Sequence, residues 1–412
     1  MRLTVERLGH LGDGIARGPD GAQVFVPMAL PGEVVEGEVI DGHMAAPKIE
    51  IPSTDRVKAP CPHYRACGGC ALMHASDTFV AVWKEDVVRS ALAAQGIAAT
   101  FRPVVTSPAR SRRRATLAGR RTRSGAVVGF HGRASGTIVE VPECRLLHPD
   151  LVAALPALVE ITTHGASRKG ELALALTRSE GGLDLAVSGG KPLDQSLFSA
   201  LAGVAERADF ARLAWEGEVV AARRPVVQRF GPARVVPPPG AFLQATAEGE
   251  AALVSAVREA VGSARRVVDL FAGAGTFALP LAERSEVHAV EGEPAMLSAL
   301  DAGWRQTPGL HRVTTEPRDL FRRPLLADEL RGFDAVVIDP PRAGAEAQMG
   351  EIAASRVTRV AAVSCNPVTF ARDVRILLAA GFVLDWVQVV DQFRWSTHVE
   401  LAARLSRAIK GS

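Results

Sequence analysis

The stretch RVVDLFAGAGTFALPLA, residues 266–282, decides the fold of the C-terminal half of the chain. A short apolar run leads into a loop and then into the start of a helix, and Gly273 and Gly275 allow a tight turn with close backbone approach. Glu291 ends the following apolar run, 18 residues after Gly273, where its carboxylate can accept hydrogen bonds from ribose hydroxyls. The stretch predicts a strand, a nucleoside-binding turn and a helix in an open α/β sheet.

Further strands and helices alternate around this turn. The predicted strands are 266–270, 287–290, 335–338, 360–363, 383–390 and 398–402, and the predicted helices are 247–261, 277–283 and 369–380. Such alternation predicts a parallel, doubly wound, Rossmann-like sheet over residues 241–412. The spacing of the glycine loop does not exclude a nicotinamide dinucleotide, although the carboxylate of Asp269 also suits a cofactor with a cationic end.

Two polar motifs follow strands of this sheet. Asp339 lies in IDPPRAG (338–344) and Cys365 in SCNP (364–367), and ligands of open α/β sheets bind beyond the carboxyl ends of the strands. The helix after Cys365 is expected to lower the pKa of its thiol, and the alternative is a buried structural cysteine. With period two, His398 and Glu400 share one face of the last predicted strand, where a partly buried carboxylate suits a general base.

A cysteine and a carboxylate together suit one reaction of a pyrimidine ring. A thiolate that adds to C6 turns the ring into an enolate, so C5 becomes nucleophilic and can accept a methyl group. A base must then remove the C5 proton before the thiolate can leave. Cys365 and Glu400 therefore predict methylation of C5 of a uridine, and Phe271 or Trp395 is predicted to support the extruded base.

The first 240 residues contain two further predicted units. Residues 1–53 hold short apolar runs between glycine- and proline-containing turns, which predicts a small β-barrel. Residues 54–240 begin with a cysteine-containing loop, continue with a helix over 76–96 and then alternate short strands, which predicts a mixed α/β central domain. Neither a secretory leader nor a membrane-spanning run is recognisable, so we expect a cytoplasmic protein.

Positive charge is concentrated in one part of the chain. Between Asp86 and Glu140 there are ten arginines and no acidic residue, although the net charge of the whole chain is only +3. A general preference for arginine over lysine does not explain the missing carboxylates, so the stretch predicts a nucleic-acid surface; a solvated basic edge strand is the alternative. The arginines considered for phosphate contacts are Arg110, Arg112, Arg113, Arg114, Arg120, Arg121 and Arg123.

Four of the five cysteines form a candidate metal site. Cys61, Cys67 and Cys70 lie in the pattern C-x5-C-x2-C, and Cys144 follows far downstream. The odd number of cysteines argues against a framework of disulfides. Four thiolates bind either zinc or an iron–sulfur cluster, and the spacing leaves both open.

The motifs together resemble those of the RNA uracil-5 methyltransferases, in the order of that family and over essentially the whole chain. They are SRRRATL (111–117), VGFHGRASGTIVEVPEC (128–144), FLQ (242–244), DLFAGAGTF (269–277), IDPPRAG (338–344), SCNPVTFARD (364–373), VDQF (390–393) and THVE (397–400). The segment 6–40 is similar to a TRAM domain, an OB-like RNA-binding barrel. The resemblance implies a multidomain α/β protein: a TRAM barrel (1–53), a cluster-bearing mixed α/β central domain (54–240) and a Rossmann-like class I methyltransferase domain (241–412).

The resemblance also implies roles for individual residues. Cys365 would be the nucleophile and Glu400 the proton acceptor, with S-adenosylmethionine as methyl donor. The residues expected to line the cofactor and uracil pocket are Gln244, Phe271, Thr276, Glu291, Asp319 and Asp339. The cysteines Cys61, Cys67, Cys70 and Cys144 would hold a structural 4Fe–4S cluster, as in the ribosomal-RNA members. By that analogy we expect ribosomal RNA rather than transfer RNA as the partner, and a monomeric enzyme.

The chain departs from the family pattern at two places, and three other functions compete. Thr276 stands where the family has asparagine, and FRWST (393–397) replaces F-P-H-T. RNA cytosine-5 methylation would use a second cysteine in the catalytic half. An N-methyltransferase would carry an aromatic residue where Arg342 stands and would not need Cys365. An RNA-binding module without activity would leave Cys365 and Glu400 without a purpose.

Overall fold

The computed structural model describes residues 1–408, which begin with a small barrel. Its strands are β1 (Arg2–Leu8), β2 (Gly14–Arg17), β3 (Gln23–Val26), β4 (Val34–Glu36) and β5 (Lys48–Ile51). They pair antiparallel in the spatial order β3–β2–β1–β4–β5. The Met44 N–H, between β4 and β5, donates to the Phe25 carbonyl of β3 at 2.9 Å. This contact curls the sheet around a core that includes Val5 and Val26, so the predicted N-terminal barrel is confirmed.

The cysteine-containing loop leads into helix α1 (Asp77–Ala93) and strand β6 (Phe101–Thr106). Ser76 caps α1, because its side-chain oxygen accepts from the Phe79 N–H at 3.2 Å and so satisfies one of the free donors of the first turn. The helix falls within the range predicted for it. One face of α1 is buried, with Trp83 and Val88 in its centre.

A seven-stranded sheet forms the central domain. Its strands and helices are β7 (Arg114–Arg121), β8 (Ala126–His131), β9 (Ile138–Val139), α2 (Pro149–Ala153), α3 (Leu155–Gly165), β10 (Glu171–Ser179), β11 (Gly182–Ser188), α4 (Gln195–Arg207), β12 (Arg212–Trp215) and β13 (Glu218–Ala222). The spatial order is β13–β12–β11–β10–β7–β8–β9. Leu117, Leu158, Leu174 and Trp215 belong to a fully buried core between this sheet and its helices.

An eight-stranded sheet carries the C-terminal half. After a hairpin of β14 (Gln228–Phe230) and β15 (Ala233–Val235), the elements are α5 (Ala247–Val261), β16 (Arg266–Leu270), α6 (Ala278–Leu281), β17 (Glu286–Glu291), α7 (Pro294–Arg305), β18 (Val313–Pro317), β19 (Ala335–Ile338), α8 (Glu346–Ala354), β20 (Arg359–Ser364), α9 (Pro367–Ala379), β21 (Val383–Asp391) and β22 (Leu401–Ser406). The spatial order is β18–β17–β16–β19–β20–β22–β21–β6.

The strand order of this sheet reverses beside β16. Strands β18, β17, β16, β19 and β20 are parallel, and β16 pairs with β17 on one side and with β19 on the other. The connections after β16 and β19 therefore leave the sheet in opposite directions and open a crevice at the carboxyl edge, where ligands of such sheets bind. The predicted parallel, doubly wound sheet is confirmed for these five strands, but the last strand, β22, is antiparallel to both β20 and β21.

Two predictions for the fold are wrong. The sequence predicts residues 101–106 as part of the central unit 54–240, but they form β6, which pairs parallel with β21. The C-terminal sheet therefore includes a strand that precedes the predicted boundary at residue 240. The hairpin β14–β15 also packs there, since Phe230 and Val235 lie in the C-terminal core. The last strand begins at Leu401 rather than at 398, so His398 and Glu400 do not share a strand face. Residues 409–412 of the predicted C-terminal domain lie outside the described residues.

A buried ion pair fixes α1 on the C-terminal sheet. Lys84 Nζ lies 2.5 Å from Asp391 Oδ1, and the two side chains are 0% and 1% exposed. We expect Lys84→Met to lower the free energy of unfolding by about 3–5 kcal/mol, because it leaves a carboxylate buried without a counter-charge. Urea denaturation of the whole protein measures this loss.

The matched control breaks an exposed pair on the same helix. Arg89 pairs with Glu85 at 2.5 Å, and the Arg89 side chain is 51% exposed. Glu85→Gln should cost only about 0.5 kcal/mol, because exposed pairs are screened by solvent. An equal loss of stability in the two variants would contradict the special role of the buried pair.

In residues 1–408 no helix combines the length and the apolar character that crossing a membrane requires.

Candidate active site

A cavity of about 460 Å³ lies in the crevice at the carboxyl edge of the C-terminal sheet. Six of the residues predicted for the site line it, namely Gln244, Phe271, Glu291, Asp339, Cys365 and Glu400. The other lining residues are Phe242, Gly273, Glu293, Met296, Pro340, Pro341 and Arg342. The carboxyl ends of four parallel strands supply most of these positions, because their termini meet at one edge of the sheet.

The antiparallel strand β22 brings Glu400 to the same edge. Ser364, the last residue of β20, lies opposite Leu401, the first residue of β22. Cys365 directly follows β20, and Glu400 directly precedes β22, so the two residues lie next to each other beyond this pair. The register therefore sets the thiol beside the carboxylate, although 35 positions separate them in the sequence.

The glycine loop has the tight geometry that its sequence predicts. A Cβ on Gly275 would lie 2.8 Å from the Leu279 Cδ1 atom and 2.9 Å from the Leu300 Cγ atom, so a larger residue does not fit there. Phe271 has φ 63°, a strained conformation for an aromatic residue that is typical of functional sites. Glu291 accepts hydrogen bonds from the Gly273 and Glu293 N–H groups, both at 3.0 Å, which orients its carboxylate at the cavity.

Asp269 is completely buried directly before this loop. Neither of its carboxylate oxygens has a partner at normal hydrogen-bond geometry among residues 1–408, and only the Ala278 N–H is close enough to favour its charge, which is costly for a buried acid. Burial raises the pKa of Asp269 well above its usual value, and the nearby carboxylate of Asp339 raises it further. A cationic or hydrogen-bonding ligand in the adjacent cavity would relieve this cost.

A hydrogen-bonded chain of two amides joins two carboxylates of the cavity. Gln392 Nε2 donates to Gln244 Oε1 at 2.6 Å and to Glu400 Oε2 at 3.1 Å. Gln244 Nε2 in turn approaches Asp339 Oδ2 at 3.5 Å. The Gln392 amide is held from the other side, because its Oε1 accepts from the Ala245 N–H at 2.7 Å. The chain fixes the direction in which both carboxylates point.

Both carboxylates at the ends of this chain favour their protonated forms. Glu400 is 3% exposed, and burial raises its pKa well above the usual value, with the nearby Asp339 carboxylate adding to the shift. Burial likewise raises the pKa of Asp339. A proton is therefore available to the pair near neutral pH, and Glu400 is poised to exchange one.

Cys365 lies in the turn between β20 and α9. Asn366 caps α9 by accepting from the Val368 N–H at 3.1 Å, and its side-chain amide donates to the Arg342 carbonyl at 2.8 Å. These contacts join the turn to the loop after β19. Burial raises the pKa of the Cys365 thiol to about 11, and the negative charges of Glu400 and Asp339 contribute to the shift. The predicted lowering of this pKa by the helix is wrong, because burial and the two acids outweigh the helix terminus.

The raised pKa predicts how Cys365 reacts in the free protein. Its alkylation by iodoacetamide should accelerate about tenfold per pH unit from neutral pH toward pH 10, because only the thiolate reacts. Peptide mass spectrometry separates Cys365 from the other cysteines. Glu400→Gln should speed the reaction at about pH 9 by removing a charge that opposes the thiolate.

The matched control for this prediction is Glu293→Gln. Glu293 lines the same cavity but is not among the causes of the Cys365 shift, so its loss should leave the alkylation rate unchanged. A rate that is already at its plateau at neutral pH would contradict the raised pKa.

The structure does not bring three predicted residues to the cavity. Thr276 is half-buried in the glycine loop and is absent from the lining. Asp319 Oδ1 accepts from the Phe321 and Arg322 N–H groups, at 3.0 and 3.3 Å, so it caps a surface turn. Trp395 does not form a platform for a base, because it is 5% exposed in a separate core. Phe271 remains the aromatic residue predicted correctly to line the cavity.

The sequence alone assigned no role in the site to Gln392, Arg342 or Met296. Gln392 and Arg342 lie inside the motifs VDQF and IDPPRAG, so the motifs pointed to them, although no role followed from spacing. Met296 lies on α7 without any motif. Its place in the lining depends on how α7 packs beside the glycine loop, which only the folded structure defines.

The arginine-rich stretch divides into paired and unpaired side chains. Arg113 pairs with Glu250 and Arg120 with Glu171, each at 2.6 Å. Of the seven arginines considered for phosphate contacts, the other five make no ion pair within residues 1–408, namely Arg110, Arg112, Arg114, Arg121 and Arg123. Two of these five lie against aromatic rings: Arg114 is 4.9 Å from the ring centre of Phe242, and Arg112 is 5.6 Å from that of Phe393.

The four predicted cysteine ligands meet in a second, narrow cavity. Cys61, Cys67, Cys70 and Cys144 line it together with Tyr64, Gly69, Met73, Phe130, Val141 and Leu146. All four thiols are free. In the described part of the chain no three His, Cys, Asp or Glu side chains converge closely enough to hold one metal ion.

The doubly wound sheet, the glycine loop at its switch point and the acidic cavity are typical of class I methyltransferases, which use S-adenosylmethionine. Residues 311–408 match the family tRNA (Uracil-5-)-methyltransferase, and residues 1–43 match the TRAM domain. The chain is 45% identical over 406 residues to an RNA methyltransferase of Brucella suis, with 98% of each chain covered.

Two further comparisons concern uracil C5. The chain is 33% identical to the 23S rRNA (uracil(1939)-C(5))-methyltransferase RlmD of Halomonas elongata, over 97% of this chain and 88% of that protein. It shares its fold with the Pyrococcus abyssi tRNA (uracil-54, C5)-methyltransferase solved with S-adenosyl-L-homocysteine (TM-score 0.76, 22% identity, 98% and 99% of the two chains). The chain belongs to the RNA uracil-5 methyltransferase family, acts on RNA and takes its methyl group from S-adenosylmethionine.

Proposed function

We propose that this enzyme methylates C5 of a uridine in 23S ribosomal RNA through a covalent bond between Cys365 and C6, with Glu400 as the base that removes the C5 proton. The observation that carries the proposal is the β20–β22 register, which sets Cys365 beside Glu400 in one cavity. Neither RNA cytosine methylation nor N-methylation would use this pair. The other four cysteines lie in a different cavity, so none is available as a second catalytic thiol.

The chemistry divides between the two side chains. The Cys365 thiol first gives its proton to water, and the thiolate sulfur adds to C6 of the uracil, which makes C5 nucleophilic. S-adenosylmethionine, when bound, supplies the methyl group that C5 accepts. Glu400 then takes the C5 proton, the electrons of the C5–H bond restore the C5–C6 double bond, and the C6–S bond breaks. Gln392 holds the Glu400 carboxylate for this step.

The acidic lining fits the methyl donor. Glu291, Glu293, Asp339 and Glu400 border the cavity with only one cation, Arg342. The carboxylates of Glu291 and Glu293 suit a cofactor with a positive sulfonium and ammonium group, whereas Asp339 and Glu400 favour their neutral, protonated forms. Glu291 is placed for the ribose hydroxyls, and the unpartnered Asp269 behind the loop would be compensated by positive charge. These features support the predicted cofactor contacts of Phe271, Glu291 and Asp339; Thr276 and Asp319 lack such support.

We further propose that the four cysteines hold a 4Fe–4S cluster. The four thiols line one cavity with mostly apolar walls, and four thiolates can bind either zinc or an iron–sulfur cluster. The resemblance of the cysteine pattern to that of the ribosomal-RNA members favours the cluster. Arg112, which has no carboxylate partner within the described residues, lies close enough to Cys70 and Cys144 for their charge to oppose the lowering of its pKa by burial. A cation in this place suits an anionic cluster. Methyl transfer requires no redox step, so the cluster is structural.

The RNA would reach Cys365 across the basic part of the central domain. The exposed residues Arg110, Arg121 and Arg123 can contact phosphates. The pair of Arg114 with the exposed ring of Phe242 offers a face on which a base can stack. Similarity to the ribosomal-RNA enzyme supports 23S RNA, and transfer RNA is the alternative. A cytoplasmic location and a monomeric state remain predictions.

Mass spectrometry of the enzyme with S-adenosylmethionine and 5-fluorouridine-containing RNA tests the proposal. Fluorine at C5 cannot leave as a proton, so a Cys365 peptide that carries methylated fluorouridine should accumulate. Parallel reactions with 23S ribosomal RNA and with transfer RNA identify the substrate. An adduct on transfer RNA alone would overturn the ribosomal assignment, and the absence of any adduct on either RNA would overturn the covalent mechanism.

A further inference from the structure

Trp395 links the cysteine cavity to the loop that carries the base. It lies between β21 and β22 and is 5% exposed. Its indole belongs to a small core with Tyr64, Met73 and Leu146, and the side chains of Cys61, Cys70 and Cys144 pack against the same core. The backbone at Trp395 has φ 61°, which is unfavourable for a bulky residue. The surrounding contacts hold the residue in this conformation.

The backbone of Trp395 is joined to the backbone of the cysteine loop. Its carbonyl accepts from the Ala71 N–H at 2.8 Å and from the Leu72 N–H at 2.9 Å. Ala71 directly follows Cys70, so a movement of Cys70 would displace both donors. These hydrogen bonds belong to the main chain, so the indole contributes separately, through its packing beside Cys61, Cys70 and Cys144.

The loop 392–400, which contains Trp395, ends at Glu400, the proposed base. Glu400 follows Trp395 by five residues, and Gln392, at the start of the loop, binds the Glu400 carboxylate at 3.1 Å. The loop makes further long-range hydrogen bonds. Lys84 Nζ of α1 donates to the Phe393 carbonyl at 3.1 Å, and Arg394 donates to the Ser107 carbonyl at 3.1 Å and to the Asp77 carboxylate at the start of α1. The loop 392–400 is thus held between α1 and the cysteine loop, and Trp395 makes the contact with the cysteine loop.

We propose that Trp395 couples the occupancy of the four-cysteine site to the position of Glu400. The inference rests on the proposed function, in which the cysteines hold a cluster and Glu400 removes the C5 proton. A filled site fixes Cys70 and the backbone after it, and so fixes Trp395 and the loop 392–400. An empty site lets the two loops loosen together. Trp395 is then a positioning residue that acts through Glu400.

Hydrogen exchange of the full-length protein tests the coupling without any catalysis. Removal of the cluster by chelator and oxidant should speed exchange in peptides that cover 392–400 by roughly tenfold. Peptides from β10 in the central sheet should not change. In Trp395→Ala the 392–400 peptides should exchange fast before and after removal. Unchanged exchange of 392–400 in the wild-type protein after removal would overturn the inference.

The reaction itself gives a second readout, because Glu400 acts only after the covalent bond has formed. With ordinary uridine RNA, Trp395→Ala should turn over slowly and accumulate the Cys365–RNA adduct, with kcat reduced and KM little changed. Trp395→Phe should restore turnover, because the ring still fills the core. Trp304→Ala, whose indole donates to the His311 carbonyl on the far side of the C-terminal domain, is the control for general destabilisation.

The outcomes separate the two proposals. A wild-type protein without iron, or without an adduct on fluorouridine RNA, would overturn the proposed function. A wild-type protein that contains iron and forms the adduct, but whose folded Trp395→Ala variant turns over normally or loses adduct and turnover together, would overturn the coupling alone.

Discussion

Cys365→Ala should reduce methyl transfer to uridine by a factor of roughly 10⁴ or more, because the covalent step has no substitute in the cavity. Without a sulfur to add to C6, C5 of the uracil stays a poor nucleophile. The binding of S-adenosylmethionine should be nearly unchanged, since the residues proposed to contact it lie on other strands. Transfer of a labelled methyl group and calorimetric binding of the cofactor measure the two quantities.

A matched variant separates loss of the nucleophile from loss of packing. Cys365→Ser keeps a side chain of similar size in the turn before α9, but its hydroxyl is far less acidic than the thiol. It should be as inactive as Cys365→Ala and as stable as the wild-type protein. Activity within about tenfold of wild type in either variant would contradict a covalent role for Cys365.

Glu400→Gln should stop the reaction after the covalent bond to Cys365 has formed, one step later than Cys365→Ala. Turnover should fall by about 10²–10⁴, the usual contribution of a positioned base, while the Cys365–RNA adduct forms and accumulates even on ordinary uridine. The amide keeps the size of the side chain but cannot take the C5 proton, so the thiolate cannot leave. Denaturing gels with labelled RNA detect the retained adduct.

The pH dependence of the wild-type enzyme follows from the direction of the Glu400 shift. Burial raises the pKa of Glu400, so the base form is depleted at a higher pH than for an exposed glutamate, and kcat should fall as the pH is lowered. Glu400→Asp, which keeps a carboxylate, should retain a similar acid limb and a measurable rate. If Glu400→Gln turned over normally, or if neither turnover nor adduct formed in a folded protein, the assignment of the base would be wrong.

Local sequence patterns were sufficient to predict many of the helices and strands of the C-terminal domain. Helix α5 and strand β16 have the predicted bounds, because apolar periodicity, the Thr246 cap and the glycine loop all act within a few residues. The meeting of Asp339 and Cys365 also followed from sequence, since parallel strands end at one edge of a sheet. The four cysteines were recognised as one site from their spacing and the family resemblance.

The pairing of distant segments was not readable from the sequence. Nothing local assigns β6 to the C-terminal sheet, because strands pair through backbone groups that every residue carries. The start of β22 at Leu401, and hence the position of Glu400 beside Cys365, depends on its register with β20. Trp395 was expected to stack on a base, yet it packs beside the cysteine cavity.

The sequence by itself determined the order of the elements, the family and the reactive side chains, because these depend on residue type and short-range spacing. Only the tertiary structure decided which of those side chains touch and what charge they carry. The pKa of Cys365 rises rather than falls because burial and two carboxylates from other strands surround the thiol. Burial and electrostatic fields sum over neighbours that are distant in sequence, so they exist only once the chain has folded.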